Sequence, residues 1–188
     1  MRTVKLTQPD AWRQAPPADA LRPWLSARGS LTARIAARFD GFNLLRLSQK
    51  RAQPYADERR ALGLKRGQRA VVREVILRSG GTPLVFAHSV ATPVSLRGAW
   101  RGLSRLGARP LAEMLFRDPL VTRMPIEYRK LDRRHALFRK AIATADRPAR
   151  FLWARRSVFL KRRTPLLVTE VFLPAIDSDS QRRRLGGT

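Results

Sequence analysis

The run Leu166-Leu167-Val168-Thr169-Glu170-Val171-Phe172-Leu173-Pro174 constrains this chain more than any other segment. It is apolar on both sides and stops at a proline, the pattern of a buried strand. The preceding segment, Phe151 to Lys161, reads as a second strand, joined to it by the short turn Arg162-Arg163-Thr164-Pro165. A turn that short makes the two strands antiparallel neighbours. The arrangement recurs upstream. Val71 to Leu77 and Leu84 to Thr92 flank Ser79-Gly80-Gly81-Thr82-Pro83, a glycine turn of the hairpin kind. Two hairpins imply a mainly antiparallel sheet.

Helical signals surround these strands. Asp19 is placed to cap a short helix carrying Leu21, Trp24 and Leu25, which Gly29 ends. Ser30 caps a second helix with Leu31, Ile35 and Phe39 at four-residue spacing. Phe42 to Leu47 reads as a strand, and Asp57-Glu58 opens a short helix that stops near Gly63. After Pro93, Leu96, Ala99, Trp100 and Leu103 recur at helical spacing. Pro110 suits the first turn of a helix reaching Phe116, and Ile126 to Tyr128 begins another strand. Residues 129–150 are arginine-heavy and weakly periodic, so they read as an insertion or an extended surface segment, with a lid as one role for it. The order of elements gives an α+β fold in a single domain, residues 19–176, with helices covering the sheet. A flexible arm, 1–18, precedes it, and a disordered basic tail, 177–188, follows.

Two charges interrupt the apolar strand faces. By strand alternation Glu170 shares a face with Leu166, Val168 and Phe172, and Arg73 shares one with Val71, Val75 and Leu77. An ionised group in such a place is costly unless partnered. The pair suggests a closed site for a small polar ligand; a buried Arg–Glu pair without a ligand fits the same residues. Arg155 and Arg156 alternate to opposite faces, so at most one reaches Glu170, and the other reads as a surface residue. Glu74, on the opposite face from Arg73, reads as a partner for an arginine. His88 reads as a structural or surface residue, while Glu113 and Glu127 fall on a solvated helix face and a strand end.

Composition narrows the function. The chain has 39 basic and 14 acidic residues, a net charge of +25, which by itself would point to nucleic acid. The arginines are spread over nearly every segment, and no zinc-finger spacing, RNP-type strand or basic zipper accompanies them, so no specific nucleic-acid binding is expected. Such a field also draws in small dianions. With no cysteine and only two distant histidines, His88 and His135, no metal site is expected. Neither a signal peptide nor a membrane span is apparent, so a cytoplasmic location is expected. Nucleophile elbows, HExxH and phosphate loops are absent from the sequence.

Taken in order, several short pieces resemble the chorismate pyruvate-lyase family. They are Trp24-Leu25, Ser30-Leu31-Thr32, Val72-Arg73-Glu74-Val75, Gly81-Thr82-Pro83, Thr92-Pro93-Val94-Ser95, Leu106-Gly107, Pro110-Leu111, Leu115-Phe116, Arg155-Arg156-Ser157 and Pro165 to Pro174. The resemblance implies a six-stranded antiparallel sheet with flanking helices and a monomer without metal or organic cofactor. It implies cleavage of chorismate to 4-hydroxybenzoate and pyruvate, supplying the ring precursor of ubiquinone. Carried over by position, Arg73 would bind the ring carboxylate and Glu170 would face the hydroxyl end. Leu31 and Leu111 would give backbone groups and apolar wall. Ser89 stands where the resemblance leads one to expect a basic residue. A ligand-sensing domain for a small aromatic carboxylate would share this pocket without the chemistry.

Overall fold

The computed structural model describes residues 11–177. The N-terminal ten residues of the expected arm, and the expected basic tail from 178 onward, lie outside the described residues.

In chain order the elements are α1 (Arg22–Leu25), α2 (Leu31–Arg38), β1 (Phe42–Ala52), α3 (Ala56–Ala61), β2 (Ala70–Ser79) and β3 (Thr82–Ala91). They continue with α4 (Pro93–Arg97), a 3₁₀ turn (Arg101–Arg105), α5 (Ala112–Phe116), β4 (Val121–Arg123), β5 (Glu127–Leu131), α6 (Ala136–Ile142), β6 (Leu152–Lys161) and β7 (Thr164–Phe172). All strands pair antiparallel, in the order β1-β2-β3-β7-β6-β4, with β5 also on β6. The sheet therefore has seven strands rather than the six expected. The difference is a break: β4 pairs with residues 159–161 of β6 and β5 with residues 152–156, so both share one column. Pro125 falls between them and has no N–H to continue the ladder.

Both faces of the sheet are covered. One face packs Val75, Leu77, Val85 and Phe172 against Trp24, Leu25, Leu31 and Ile35 of α1 and α2. Further along it, Ala91, Phe159, Leu166 and Val168 meet Trp100, Leu103, Leu111 and Leu115. The opposite face packs Ile76, Phe86, Ala154 and Val171 against Leu131, Leu137, Phe138 and Ala141. This last group corrects the reading of 129–150 as a surface segment. The segment supplies most of β5's tail and all of α6, and its apolar residues Leu131, Leu137, Phe138 and Ala141 are buried behind the sheet. The arginines hid a short apolar stripe. Residues 11–18 are also anchored: Arg13 exchanges both backbone bonds with Tyr128, and Trp12 Nε1 donates to Asp57 at 2.7 Å. No helix among the described residues is long and apolar enough to cross a membrane.

The two hairpins that set the register use different turns. Gly80 and Gly81, at φ 51° and 87°, take the left-handed conformation without steric penalty. Arg162 and Arg163 sit at φ 49° and 62°, where a Cβ is unfavourable by about 1–2 kcal/mol per residue. The doublet Arg162→Asn, Arg163→Gly should therefore stabilise the fold by about 1 kcal/mol and raise the melting temperature by about 2–4 °C. Thermal unfolding by circular dichroism checks this; an unchanged or lower midpoint would contradict it.

Candidate active site

Two rows of side chains across the sheet make the floor of a cavity. Strand register aligns Arg73, Ser89, Val168 and Ser157 in one row, and Val75, Ala87, Glu170 and Arg155 in the next. Small residues, Ala87 and Ser89, occupy β3 in mid-floor, which leaves room above them. Leu31 and Thr32 of α2, Leu111, Ala112, Leu115 and Phe116, and Arg123 at the end of β4 form walls and roof. The cavity is small, with free room of about 40 Å³.

The site residues expected from the sequence, Arg73, Glu170, Leu31 and Leu111, all line this one cavity. Arg73 is 2% exposed. Its Nη2 donates to the carbonyls of Gly107 (3.2 Å) and Arg109 (3.0 Å), while its buried Nε has no partner. Burial, and then the nearby Arg46, lower its pKa to about 10. Arg73 makes no ion pair with Glu170. Glu170 instead accepts from Nε of Arg155 at 2.5 Å, its direct cross-strand neighbour. Arg155 Nη1 then reaches the carbonyls of Trp24 (2.9 Å), Leu25 (3.1 Å) and Ala27 (2.7 Å), satisfying the open end of α1.

Sequence reasoning missed Arg123. Its strand is three residues long and carries no alternation to reveal a face. Its Nε donates to Ser157 Oγ at 3.0 Å and its Nη1 to the carbonyl of Arg28 at 2.6 Å. Burial, then the neighbouring Arg155, lower its pKa.

The opposite face of the sheet holds a separate charged cluster, and it corrects the readings of Arg156 and Glu74. Arg156 is buried rather than superficial, with Nε on Glu127 (2.7 Å), Nη1 on Asp57 (3.2 Å) and its guanidinium over Trp12. Glu127 is thus an ion-pair partner. Glu74 pairs not with an arginine but with His88 and Lys140, and accepts from Ser48 at 3.0 Å. His88 is 2% exposed, stacked on Tyr55, with Nδ1 3.2 Å from Glu74 and Nε2 3.0 Å from Glu58. The Glu58 contact is an ion-pair approach without hydrogen-bond alignment. No group of three or more His, Asp or Glu among the described residues is placed to hold a metal ion.

An enclosed, cation-rich cavity on a helix-covered antiparallel sheet defines a protein that handles a small organic anion. The chorismate lyase family pattern matches residues 3–181, and the chain belongs to that family. A relative from Nitrosomonas europaea, named "Probable chorismate pyruvate-lyase", is 48% identical over 176 residues, spanning 92% of this chain and 98% of its own. One of the same name from Thiobacillus denitrificans is 51% identical over 156 residues, 83% of each chain. Among solved structures, the PhnF C-terminal domain is similar at a TM-score of 0.56 and 13% identity, over 73% of this chain and 84% of that one. A GntR-family transcriptional regulator from Bacillus cereus gives 0.52 at 10% identity, over 72% and 94%. These two likenesses concern the fold alone.

The buried cluster makes stability depend on pH. Burial works to lower the His88 pKa, but Glu58 and Glu74 outweigh it and raise the value to about 9. Its contribution is complete below the unfolded value of about 6.5 and is lost as pH rises through about 9. Urea unfolding between pH 6 and 10 should show a loss on the order of a few kcal/mol in the wild type and a flatter profile in His88→Gln. Equal slopes in the two proteins would contradict the assignment.

Proposed function

We propose that this protein, acting as a cytoplasmic monomer, cleaves chorismate to 4-hydroxybenzoate and pyruvate and so supplies a ring precursor for ubiquinone. The observation that supports this best is the cavity itself: Arg73 and Glu170 stand on adjacent rows of one floor, in a chain of the chorismate lyase family. Chorismate carries a ring carboxylate, a ring hydroxyl and an enolpyruvyl ether. Breaking the ether carbon–oxygen bond while a proton leaves the carbon bearing the hydroxyl makes the ring aromatic. The driving force therefore lies in the substrate, and the protein's work is positioning and proton handling.

Arg73 is suited to the ring carboxylate. Its Nη2 is held by two carbonyls, which aims the remaining edge, including the unpartnered Nε, at the ligand. Backbone groups of Leu31 and Leu111 add to that end of the site, and their side chains form apolar wall. Glu170 faces the hydroxyl end and takes the departing proton. Arg155 fixes the Glu170 carboxylate through one oxygen, leaving the other available. Arg155 is thus a positioning residue, since its Nε and Nη1 are committed to Glu170 and the α1 carbonyls.

Incubating the purified protein with chorismate alone and resolving products by chromatography tests the proposal. Equimolar pyruvate and 4-hydroxybenzoate are expected; bound but uncleaved chorismate would favour a sensing domain. Glu170→Gln should lower kcat by about 100-fold or more with chorismate affinity within a few-fold of wild type. Arg73→Ala should weaken both chorismate and 4-hydroxybenzoate by about 10–100-fold, measured by KM and by calorimetric titration of product.

A further inference from the structure

Three guanidiniums line the cavity, Arg73, Arg123 and Arg155, against the single carboxylate of Glu170. Arg155 is paired with Glu170 at 2.5 Å. Arg73 and Arg123 have no carboxylate partner among the described residues. Two buried or half-buried positive charges therefore face one enclosed space uncompensated, a costly arrangement unless a ligand brings two negative charges. A ligand with a single carboxylate would satisfy Arg73 and leave Arg123 as it is.

The geometry of Arg123 favours a ligand role. Ser157 Oγ and the Arg28 carbonyl hold its Nε and Nη1, and its guanidinium carbon lies 5.3 Å from the Phe159 ring centroid and 5.9 Å from that of Phe116. Its orientation is thus set before any ligand arrives, while Nη2 has no protein partner among the described residues. Arg73 and Ser157 occupy the two ends of one floor row, three inter-strand steps apart, about 14 Å between backbones. Arg123, fastened to Ser157, and Arg73 therefore line the cavity from the two ends of that row. Arg123 also borders the outer groove formed by Ser26, Arg28, Met124 and Pro125.

We propose that Arg123 binds the second carboxylate of the substrate, the one on the enolpyruvyl arm that departs as pyruvate. This rests on the lyase reading above and completes it. Arg73 holds the end of the molecule that becomes 4-hydroxybenzoate, and Arg123 holds the end that leaves, beside a groove open to solvent. A structural strut, tying β4 to the loop after α1 through the Arg28 carbonyl, is the competing role.

The two roles separate by ligand. Arg123→Gln and Arg123→Lys are compared with wild type for chorismate turnover and for 4-hydroxybenzoate affinity by calorimetry, with thermal melts alongside. For a carboxylate-binding Arg123, the Gln variant raises the chorismate KM by about 30-fold or more, while 4-hydroxybenzoate affinity stays within about 3-fold. The Lys variant, which keeps the charge, recovers part of the loss and carries the test if the Gln variant does not fold. An unchanged chorismate KM, or equal weakening of both ligands in the Lys variant, overturns the assignment. Absence of turnover by the wild type overturns the lyase reading itself and this assignment with it.

Discussion

The ion pair between Arg155 and Glu170 is the interaction on which the rest of the architecture depends. It joins neighbouring residues of β6 and β7, so it locks the hairpin that forms the middle of the sheet. The same guanidinium gathers three carbonyls from the end of α1, so it also fixes the helical cover to the sheet. A charge this deeply placed, 1% exposed, is tolerable because its Nε meets a carboxylate and its Nη1 meets three carbonyls. Its neutralisation by Glu170 is what lets the two other cavity arginines remain without protein counter-charges. Any neutral residue in place of Glu170 leaves three like charges around one small space, but an amide still accepts from Arg155 where an apolar residue cannot, which makes it the informative replacement.

Much of this was legible in the sequence because the strands are long. Ten-residue strands such as β2 and β6 give alternation room to show that Arg73 and Glu170 interrupt apolar faces, and the glycine turn at 80–81 fixes the first hairpin. What was illegible depended on short elements or distant partners. Arg123 belongs to a three-residue strand beside a proline, where no face can be assigned. His88 gave no sign of its environment, because its counter-charges come from α3 and β2, brought together only by the fold. Arg156 looked superficial because alternation says which face a side chain takes but not whether that face is covered. The misreading of 129–150 had a similar origin: α6 is seven residues long, too short for its apolar stripe to stand out among arginines.

The sheet separates two electrostatic environments. On one face charge is left uncompensated around an empty space; on the other, Glu58, Glu74, His88, Lys140 and Tyr55 are bound to one another in a filled cluster. Adjacent residues serve the two: Arg73 and Glu74, Ala87 and His88, Arg155 and Arg156. A similar fold occurs at low identity in the PhnF C-terminal domain and in a GntR-family regulator, and a fold alone does not set function. The choice is made by a few side chains of one face.

The partial use of each cavity arginine has a kinetic meaning. Arg73 holds the Gly107–Arg109 loop, Arg123 holds the Arg28 loop and Arg155 holds the turn after α1, all by main-chain carbonyls. The roof is thus clasped by the residues that line the chamber beneath it. Lifting either loop means breaking bonds to guanidiniums that an occupying anion also grips, so occupancy and closure reinforce each other. A ligand held as proposed would favour long residence over rapid exchange in such a chamber, with release waiting on the clasps.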